Sequence, residues 1–217
     1  MTTPDSAKLK CFLLESCTYC IEACVLLVTA AGIILAAPLR AAEVTRVGVE
    51  HRGSLYTLHY EVQLDAPAEP VRVLLRDIDQ LIQLAPDVEA YEVLSSSGDG
   101  ITEVHVTTRS CIGPFCMRVA QHQRLDARRA GYLDGAFLPG DSDISGGYSV
   151  LEVFERDGKT RLRFQASLQP QFWIPPLIGQ GLLTRSLAEQ ARRFATSLER
   201  YIQVQASSGQ TVTDKAG

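Results

Sequence analysis

The sequence lacks the signature motifs of the common catalytic classes. Its 217 residues contain no serine–histidine–aspartate arrangement, no glycine-rich phosphate loop and no HExxH zinc motif. The acidic residues are scattered, so no pair of carboxylates suited to acid–base catalysis stands out. We therefore assign no catalytic residue, no metal ligand and no cofactor from the sequence.

Basic charge is also scarce. The chain has 21 Lys and Arg against 25 Asp and Glu, which gives a net charge of −4. A phosphate backbone is bound by a basic surface, so this balance argues against nucleic acid as a partner. Hydrophobic residues make up 46% and charged residues 21% of the chain, which is typical of a globular protein. This length is enough for one domain with a hydrophobic core.

Residues 1–42 differ from the rest of the chain. The segment from Ala23 to Leu39 carries no charge; as a helix it would span about 25 Å, near the lower limit for crossing a hydrocarbon core of about 30 Å. Arg40 and the small residues Ala41 and Ala42 follow, as in the cleavage zone of a secretory signal peptide. We predict that 1–42 is a signal peptide or a retained membrane anchor, and a core helix is the least favoured alternative. Both main alternatives export the remaining chain to the periplasm, free or anchored to the inner membrane.

Cysteine is nearly absent outside this leader. The leader contains four of the six cysteines, Cys11, Cys17, Cys20 and Cys24. Their segment leads into an apolar run and lacks the proline usual for an iron–sulfur motif, so a cluster is not expected. Only Cys111 and Cys116 remain. In an exported domain such a pair favours a disulfide, with a redox-active pair and two free thiols as alternatives.

After the leader, short segments of alternating polarity predict a domain rich in β-strands. Residues 43–53 are expected to be a lead-in, and Leu55–Leu64 alternates as a half-buried strand does. Helical spacing over 68–84 predicts two short helices, broken near 77–79. Further strands are predicted over 88–94, 101–111, 115–125, 131–138, 148–154 and 160–169, with a hairpin turn at Asp157-Gly158.

A long amphipathic helix is predicted after Pro175-Pro176, and residues 206–217 are predicted to be a disordered tail. The apolar stripe of the helix consists of Ile178, Leu182, Leu187, Ala191, Phe194, Leu198 and Tyr201. Strands joined by short turns form antiparallel sheets, and this helix is the only large cover available. The predicted fold class is therefore α+β. A curved antiparallel sheet of about six to seven strands wraps around the C-terminal helix, with two short helices after the first strand.

This order of elements resembles the START-like, or SRPBCC, superfamily, and in particular its polyketide cyclase/lipid-transport and coenzyme Q-binding branch. The resemblance covers about residues 54–204 and is carried by the stretches 64–71, 75–79, 85–88, 146–150, 158–162 and 169–179. It implies a START-like helix-grip domain over 43–205 with a hydrophobic tunnel. Members bind lipids, quinones, sterols or polyketides. Some are enzymes, but the branch has no shared catalytic motif to transfer.

The two cysteines also predict the register of the hairpin at 112–114. If Cys111 faces Cys116, paired residue numbers sum to 227, so Arg109 faces Arg118 and His105 faces His122. The charged face is expected to be the outer one, and a two-histidine set is too small for a zinc site. The opposite face points inward. The cavity candidates from this hairpin and the other elements are Tyr56, Leu58, Tyr60, Val104, Val106, Met117, Val119, Gln121, Phe164, Phe172, Trp173, Ile178, Leu182, Leu187 and Phe194.

The segment 172–179 is the most apolar stretch outside the leader and holds the only tryptophan, Trp173. At the rim of a cavity it could gate access or dip into a bilayer, because tryptophan favours membrane interfaces. The alternative is a packed plug that closes the core.

The leading functional hypothesis is a non-catalytic binder or carrier of a hydrophobic small molecule. A cyclase or hydrolase that uses the same cavity is one alternative, and converging titratable groups would favour it. A partner-binding module with a filled core is the other, and a core without a void would favour that one. The sequence predicts no oligomeric state.

Overall fold

The structure of the protein, a computed structural model, describes residues 42–112, 115–172, 174 and 180–213, with the backbone alone for 112 and 209–213. The leader before Ala42 lies outside the described residues. So do two cavity candidates, Trp173 and Ile178, and the last four residues of the predicted tail.

One antiparallel sheet of eight strands dominates the described residues, and its spatial order is β1-β2-β8-β7-β6-β5-β4-β3. The strands are β1 (Glu43–Arg52), β2 (Leu55–Leu64), β3 (Val88–Ser97), β4 (Ile101–Ile112), β5 (Phe115–Asp126), β6 (Tyr132–Leu138), β7 (Ile144–Arg156) and β8 (Lys159–Pro170). The α+β class and the curved antiparallel sheet are confirmed, but the strand count is one above the predicted range.

The additional strand is β1, which the sequence predicted to be a lead-in. It pairs with β2, and a bulge between Val44 and Arg46 shifts its register. A bulge breaks the alternation on which strand prediction depends. The strand also lies at the sheet edge, and Val49 is its only buried residue. The two short helices consequently follow the second strand rather than the first.

These helices are α1 (Ala68–Leu74) and α2 (Ile78–Leu84). The break predicted near 77–79 occurs where Asp77 caps α2, since its carboxylate accepts a hydrogen bond of 3.0 Å from the Gln80 amide. The hairpin turn at Asp157-Gly158 is present as well. Both residues have positive φ, 55° and 69°, which the tight two-residue turn requires.

The third helix, α3 (Gln180–Thr213), lies against the sheet. It runs to Thr213, so residues 206–213, which the sequence predicted as part of a tail, are helical in the structure. The Ser207 and Ser208 hydroxyls donate to the Val204 carbonyl at 2.9 and 2.8 Å, the local side-chain bond that serine makes within a helix.

The two halves of α3 pack differently. In the second half, Leu198 and Ile202 are buried at 7% exposure or less, as is Ala195 just before it, and all three belong to the main core with β1, β2 and α1. In the first half, Leu183 and Leu187 face a space that side chains do not fill. The helix therefore closes the core at one end of the sheet and roofs a cavity at the other.

Candidate functional site

A cavity of about 460 Å³ lies between the sheet and the first half of α3. Its volume lies within the range of small-molecule sites. Its wall is mostly apolar, and it draws on β2 and β4 to β8, on α2 with the loop after it, and on α3. Arg109 lines the cavity and is also 62% exposed, so the cavity opens to solvent beside it.

Small side chains across the middle of the sheet help to create this space. Gly135 on β6 pairs with Ser149 on β7, which pairs with Ala166 on β8. A Cβ atom at Gly135 would overlap the Ser149 hydroxyl oxygen, so glycine leaves that side chain its room. Three neighbouring strands thus carry only small side chains at this level of the sheet, namely those of Gly135, Ser149 and Ala166. Larger side chains at these positions would extend toward the helix.

Most of the candidates from the sequence meet in this cavity. Twelve of the fifteen line it: Tyr56, Leu58, Tyr60, Val104, Val106, Met117, Val119, Gln121, Phe164, Phe172, Leu187 and Phe194. Leu182 does not, and Leu183 takes its place. A helix turns by about 100° per residue, so Leu183, four residues before Leu187, lies on the same face of α3 as Leu187. Leu182, five residues before Leu187, lies on a different face.

The register predicted for the β4–β5 hairpin is confirmed. Cys111 pairs with Cys116, Arg109 with Arg118 and His105 with His122. Cys111 and Cys116 form a disulfide. The inward-facing residues that this register selects, including Gln121 and Gln123, all line the cavity.

Sequence reasoning missed the contribution of β6, β7 and the loop after α2. Leu133, Phe137, Ser149 and Leu151 line the cavity from the two strands. The signal was available, because Leu133 and Phe137 lie four residues apart on one strand and share a face. Residues 85–88, which form this loop and the first position of β3, carried no comparable signal, since only the folded chain brings them beside α3.

Polar groups inside the cavity form a short row on β4 and β5, here called the amide string: Thr108, Gln121 and Gln123. The Gln123 side-chain nitrogen donates to the Gln121 oxygen at 2.6 Å, and the Gln121 nitrogen donates to the Thr108 hydroxyl at 3.1 Å. The Thr108 hydroxyl in turn donates to the Val119 carbonyl at 3.5 Å. These bonds offset part of the cost of placing polar groups in an apolar wall.

Tyr60 supplies a polar group on the opposite wall. It is only 8% exposed and stacks on Phe164 with ring centroids 5.1 Å apart. Its hydroxyl makes no hydrogen bond to any residue that the structure describes, although the ring lines the cavity. Burial raises the pKa of Tyr60 far above its ordinary value, so the phenol stays protonated.

Charged side chains lie at the opening. Arg193 on α3 donates to Asp87 at 2.6 Å, and the Asp87 carbonyl accepts from the Arg109 amide at 2.7 Å. Burial raises the pKa of Asp87, and the positive charge and hydrogen bond of Arg193 oppose that shift. The Arg109 guanidinium is 4.0 Å from Glu89. These groups pair with one another instead of converging on the interior.

Polar contacts at three levels fasten α3 to the rest of the domain. The Ser186 hydroxyl donates to the Cys111 carbonyl at 2.6 Å, and Arg193 holds Asp87 two turns later. Glu199, buried at 6% exposure, accepts from the Asp65 amide at 2.6 Å. Burial raises the pKa of Glu199, and the bond from Asp65 opposes that shift.

The histidine pair lies away from the cavity. The rings of His105 and His122 are 6.4 Å apart, and His122 Nε2 is 4.0 Å from the Glu103 carboxylate. Neither residue lines the cavity. Within the described ranges, no group of three or more His, Cys, Asp or Glu side chains is placed to hold a metal ion.

No protein-family model and no curated protein matches the sequence. Solved structures do match. The Zhui aromatase/cyclase from Streptomyces sp. R1128 is 14% identical with a TM-score of 0.53, and the match covers 70% of this chain and 96% of that one. A START superfamily protein from Mycobacterium smegmatis is 13% identical with a TM-score of 0.52, over 69% and 98% of the two chains. A STAR-related lipid transfer protein (fragment 25-204) from Xanthomonas axonopodis is 17% identical with a TM-score of 0.51, over 73% and 98%.

At these identities the likeness shows the fold. The described residues therefore have the helix-grip fold of these structures, as the sequence predicted. Among the described helices, none has the length and apolarity needed to cross a membrane.

Proposed function

We propose that the protein binds a hydrophobic small molecule, such as a lipid, a quinone or a polyketide-like compound, and holds or carries it in the cavity beneath α3. The observation that supports this most directly is the 460 Å³ of unfilled, mostly apolar space between helix and sheet. The names of the similar structures, a lipid transfer protein and an aromatase/cyclase, agree with a hydrophobic ligand at this coarse level.

Burial of apolar surface supplies the affinity in this proposal. Each square ångström removed from water contributes roughly 25 cal/mol before the entropy costs of binding. Leu183, Leu187 and Phe194 on α3 face Val104 and Val106 on β4 across the cavity. A ligand between them is covered on both faces.

The two alternatives are less well supported. A partner-binding module with a filled core does not account for the unfilled cavity beneath α3. A cyclase or hydrolase would use titratable groups that converge on the ligand. Among the described lining residues the only acid is Asp87, and Arg193 engages it at the opening. We therefore prefer binding, and a reaction on a bound compound is an outcome that the experiment below also detects.

We further propose that the domain works outside the cytoplasm, in the periplasm or anchored at the inner membrane. The apolar run of the leader and the Cys111–Cys116 disulfide support this location, because disulfides persist in oxidising compartments. Membrane contact would use the N-terminal segment or Trp173. Cell fractionation tests the location, and full recovery of the chain in the cytosol with reduced thiols would contradict it.

The functional test uses the full-length chain purified from the membrane fraction. Native mass spectrometry before and after organic extraction is expected to show a hydrophobic compound bound, and the extracted protein is expected to take up the neutral fluorophore 1-aminoanthracene. A bound compound that returns with altered mass would indicate catalysis. A clean apo mass with no uptake of the fluorophore would contradict the proposal.

Matched variants locate the bound compound. Val106→Phe places a ring in the cavity, whereas Thr107→Phe places the same ring on the other face of the same strand. Gln190→Trp fills the space from α3 without altering the sheet. Uptake is expected to fall in Val106→Phe and Gln190→Trp and to persist in Thr107→Phe. Circular dichroism verifies that each variant folds, and equal uptake by all three would place the ligand elsewhere.

A further inference from the structure

The hydrogen bonds of the amide string have a fixed direction. A backbone carbonyl can only accept, so Thr108 donates to Val119 and must accept from Gln121. Gln121 therefore turns its amide nitrogen toward Thr108 and its oxygen toward Gln123. The free end of the string is the Gln123 oxygen, together with the second N–H of each glutamine. This end can donate to a ligand oxygen and accept from a ligand hydroxyl.

A second free hydrogen-bonding group lies across the cavity. Tyr60 is only 8% exposed, and its hydroxyl makes no hydrogen bond within the described residues. The hydroxyl oxygen is not sealed off from the open space, so it can bond a ligand oxygen placed against it. Tyr60 is on β2 and the glutamines are on β5, with β8, β7 and β6 between them. Four strand spacings amount to about 19 Å across the sheet, perpendicular to the strands, and curvature shortens this component of the path.

Among the described lining residues, the charged side chains are Asp87 and Arg109 alone. The other polar lining side chains are neutral: Tyr56, Tyr60, Thr108, Ser110, Gln121, Gln123, Ser149 and Gln190. The cation in the described lining, Arg109, is 62% exposed and lies 4.0 Å from Glu89. Moving a carboxylate from water to neutral amides in an apolar wall is costly, whereas a ketone, ester or alcohol loses little.

We propose that the cavity selects a neutral ligand with an oxygen at each end of an apolar body, one oxygen bonded to the Tyr60 hydroxyl and the other to the Gln121 and Gln123 amides. Carboxylates of the same shape are discriminated against. This inference rests on the proposed binding function and specifies its ligand class.

Three related probes test it by isothermal titration calorimetry on the extracted full-length protein at pH 7.5. Methyl 12-hydroxydodecanoate is neutral with oxygen at both ends. 12-Hydroxydodecanoic acid has the same chain but is an anion, and methyl dodecanoate lacks the terminal hydroxyl. We expect the hydroxy ester to bind at least tenfold more tightly than the acid. Loss of the hydroxyl is expected to weaken binding about threefold to tenfold, the effect of one hydrogen bond.

The variants assign the two contacts. Tyr60→Phe and the double change Gln121→Leu with Gln123→Leu are each expected to weaken binding of the hydroxy ester about threefold to tenfold. Tyr148→Phe and Gln165→Leu are the controls, since both side chains are exposed and neither lines the cavity. These controls are expected to bind as the unmodified protein does.

The outcomes separate the two proposals. Failure of all three probes, including the simple ester, would contradict the binding function itself. Equal or tighter binding of the acid would refute only the selection for neutral ligands. Unchanged affinity in both Tyr60→Phe and the double glutamine variant would refute the assigned contacts while hydrophobic binding stands.

Discussion

Replacing Ser149 by leucine tests whether the space under α3 is empty. Ser149 lines the cavity, and its neighbours across the sheet are Gly135 and Ala166. Its hydroxyl makes no hydrogen bond within the described residues, so the change removes no bond among them. In a packed interior, a larger side chain costs about 1–3 kcal/mol. In an empty interior, the larger side chain stabilises the folded protein instead.

The expected gain follows from the carbon atoms added. Leucine exchanges the hydroxyl for three carbons, and each buried CH₂ contributes about 0.8 kcal/mol. The loss of rotamer entropy of the longer side chain opposes this gain by about 0.5–1 kcal/mol. Ser149→Leu should therefore raise the free energy of unfolding of the ligand-free protein by about 1–2 kcal/mol, and it should weaken ligand uptake at the same time.

Urea unfolding followed by circular dichroism measures this change. With a slope of about 2 kcal/mol per molar urea, the midpoint should rise by about 0.5–1 M. Gln165→Leu, exposed on β8, is the control and should shift the free energy of unfolding by less than about 0.5 kcal/mol. A midpoint that falls in Ser149→Leu while uptake is unchanged would refute the cavity, because the leucine would then be overpacking a filled interior.

Two further predictions concern stability. Changing both Cys111 and Cys116 to serine should lower the free energy of unfolding by about 2 kcal/mol, the chain-entropy value for a loop this short. Dithiothreitol should lower the melting temperature of the unmodified protein but not that of the double variant. Equal melting temperatures of the two proteins without reductant would contradict this prediction. Burial raises the pKa of Glu199, so its folded state prefers the neutral acid and stability declines as pH rises through the folded pKa. Glu199→Gln keeps an acceptor for the Asp65 amide and should remove that decline in urea titrations from pH 4 to 8; an unchanged pH profile would contradict the prediction.

Most of the sheet could be predicted because the alternation of polar and apolar residues within each segment identifies it as a strand. Alternation along β2 and β8 gives the correct inward face, and the cysteine pair gives the register of β4 with β5. From that register the inward position of Gln121 follows directly. The positions of the cavity-lining residues on these strands could therefore be predicted from the sequence alone.

The features that the sequence did not reveal depend on distant contacts. The bulge after Val44 interrupts the alternation of β1, and residues 85–88 come beside the cavity through the tertiary fold, where Arg193 contacts Asp87. The exchange of Leu182 for Leu183 has a similar origin, since the phase of a helix start is set by what it packs against. The void itself arises from Gly135, Ser149 and Ala166 becoming neighbours, which no single segment of the chain displays.

The bond from Ser186 to the Cys111 carbonyl links α3 to the end of the β4–β5 hairpin, where the Cys111–Cys116 disulfide joins the two strands. Any outward swing of the first half of α3 either breaks this bond or carries the hairpin with it. Entry or release of the proposed ligand would therefore involve motion of both α3 and the hairpin. Amide hydrogen exchange at the tip of the hairpin and along the first two turns of α3 should consequently speed up or slow down together when the cavity empties or fills.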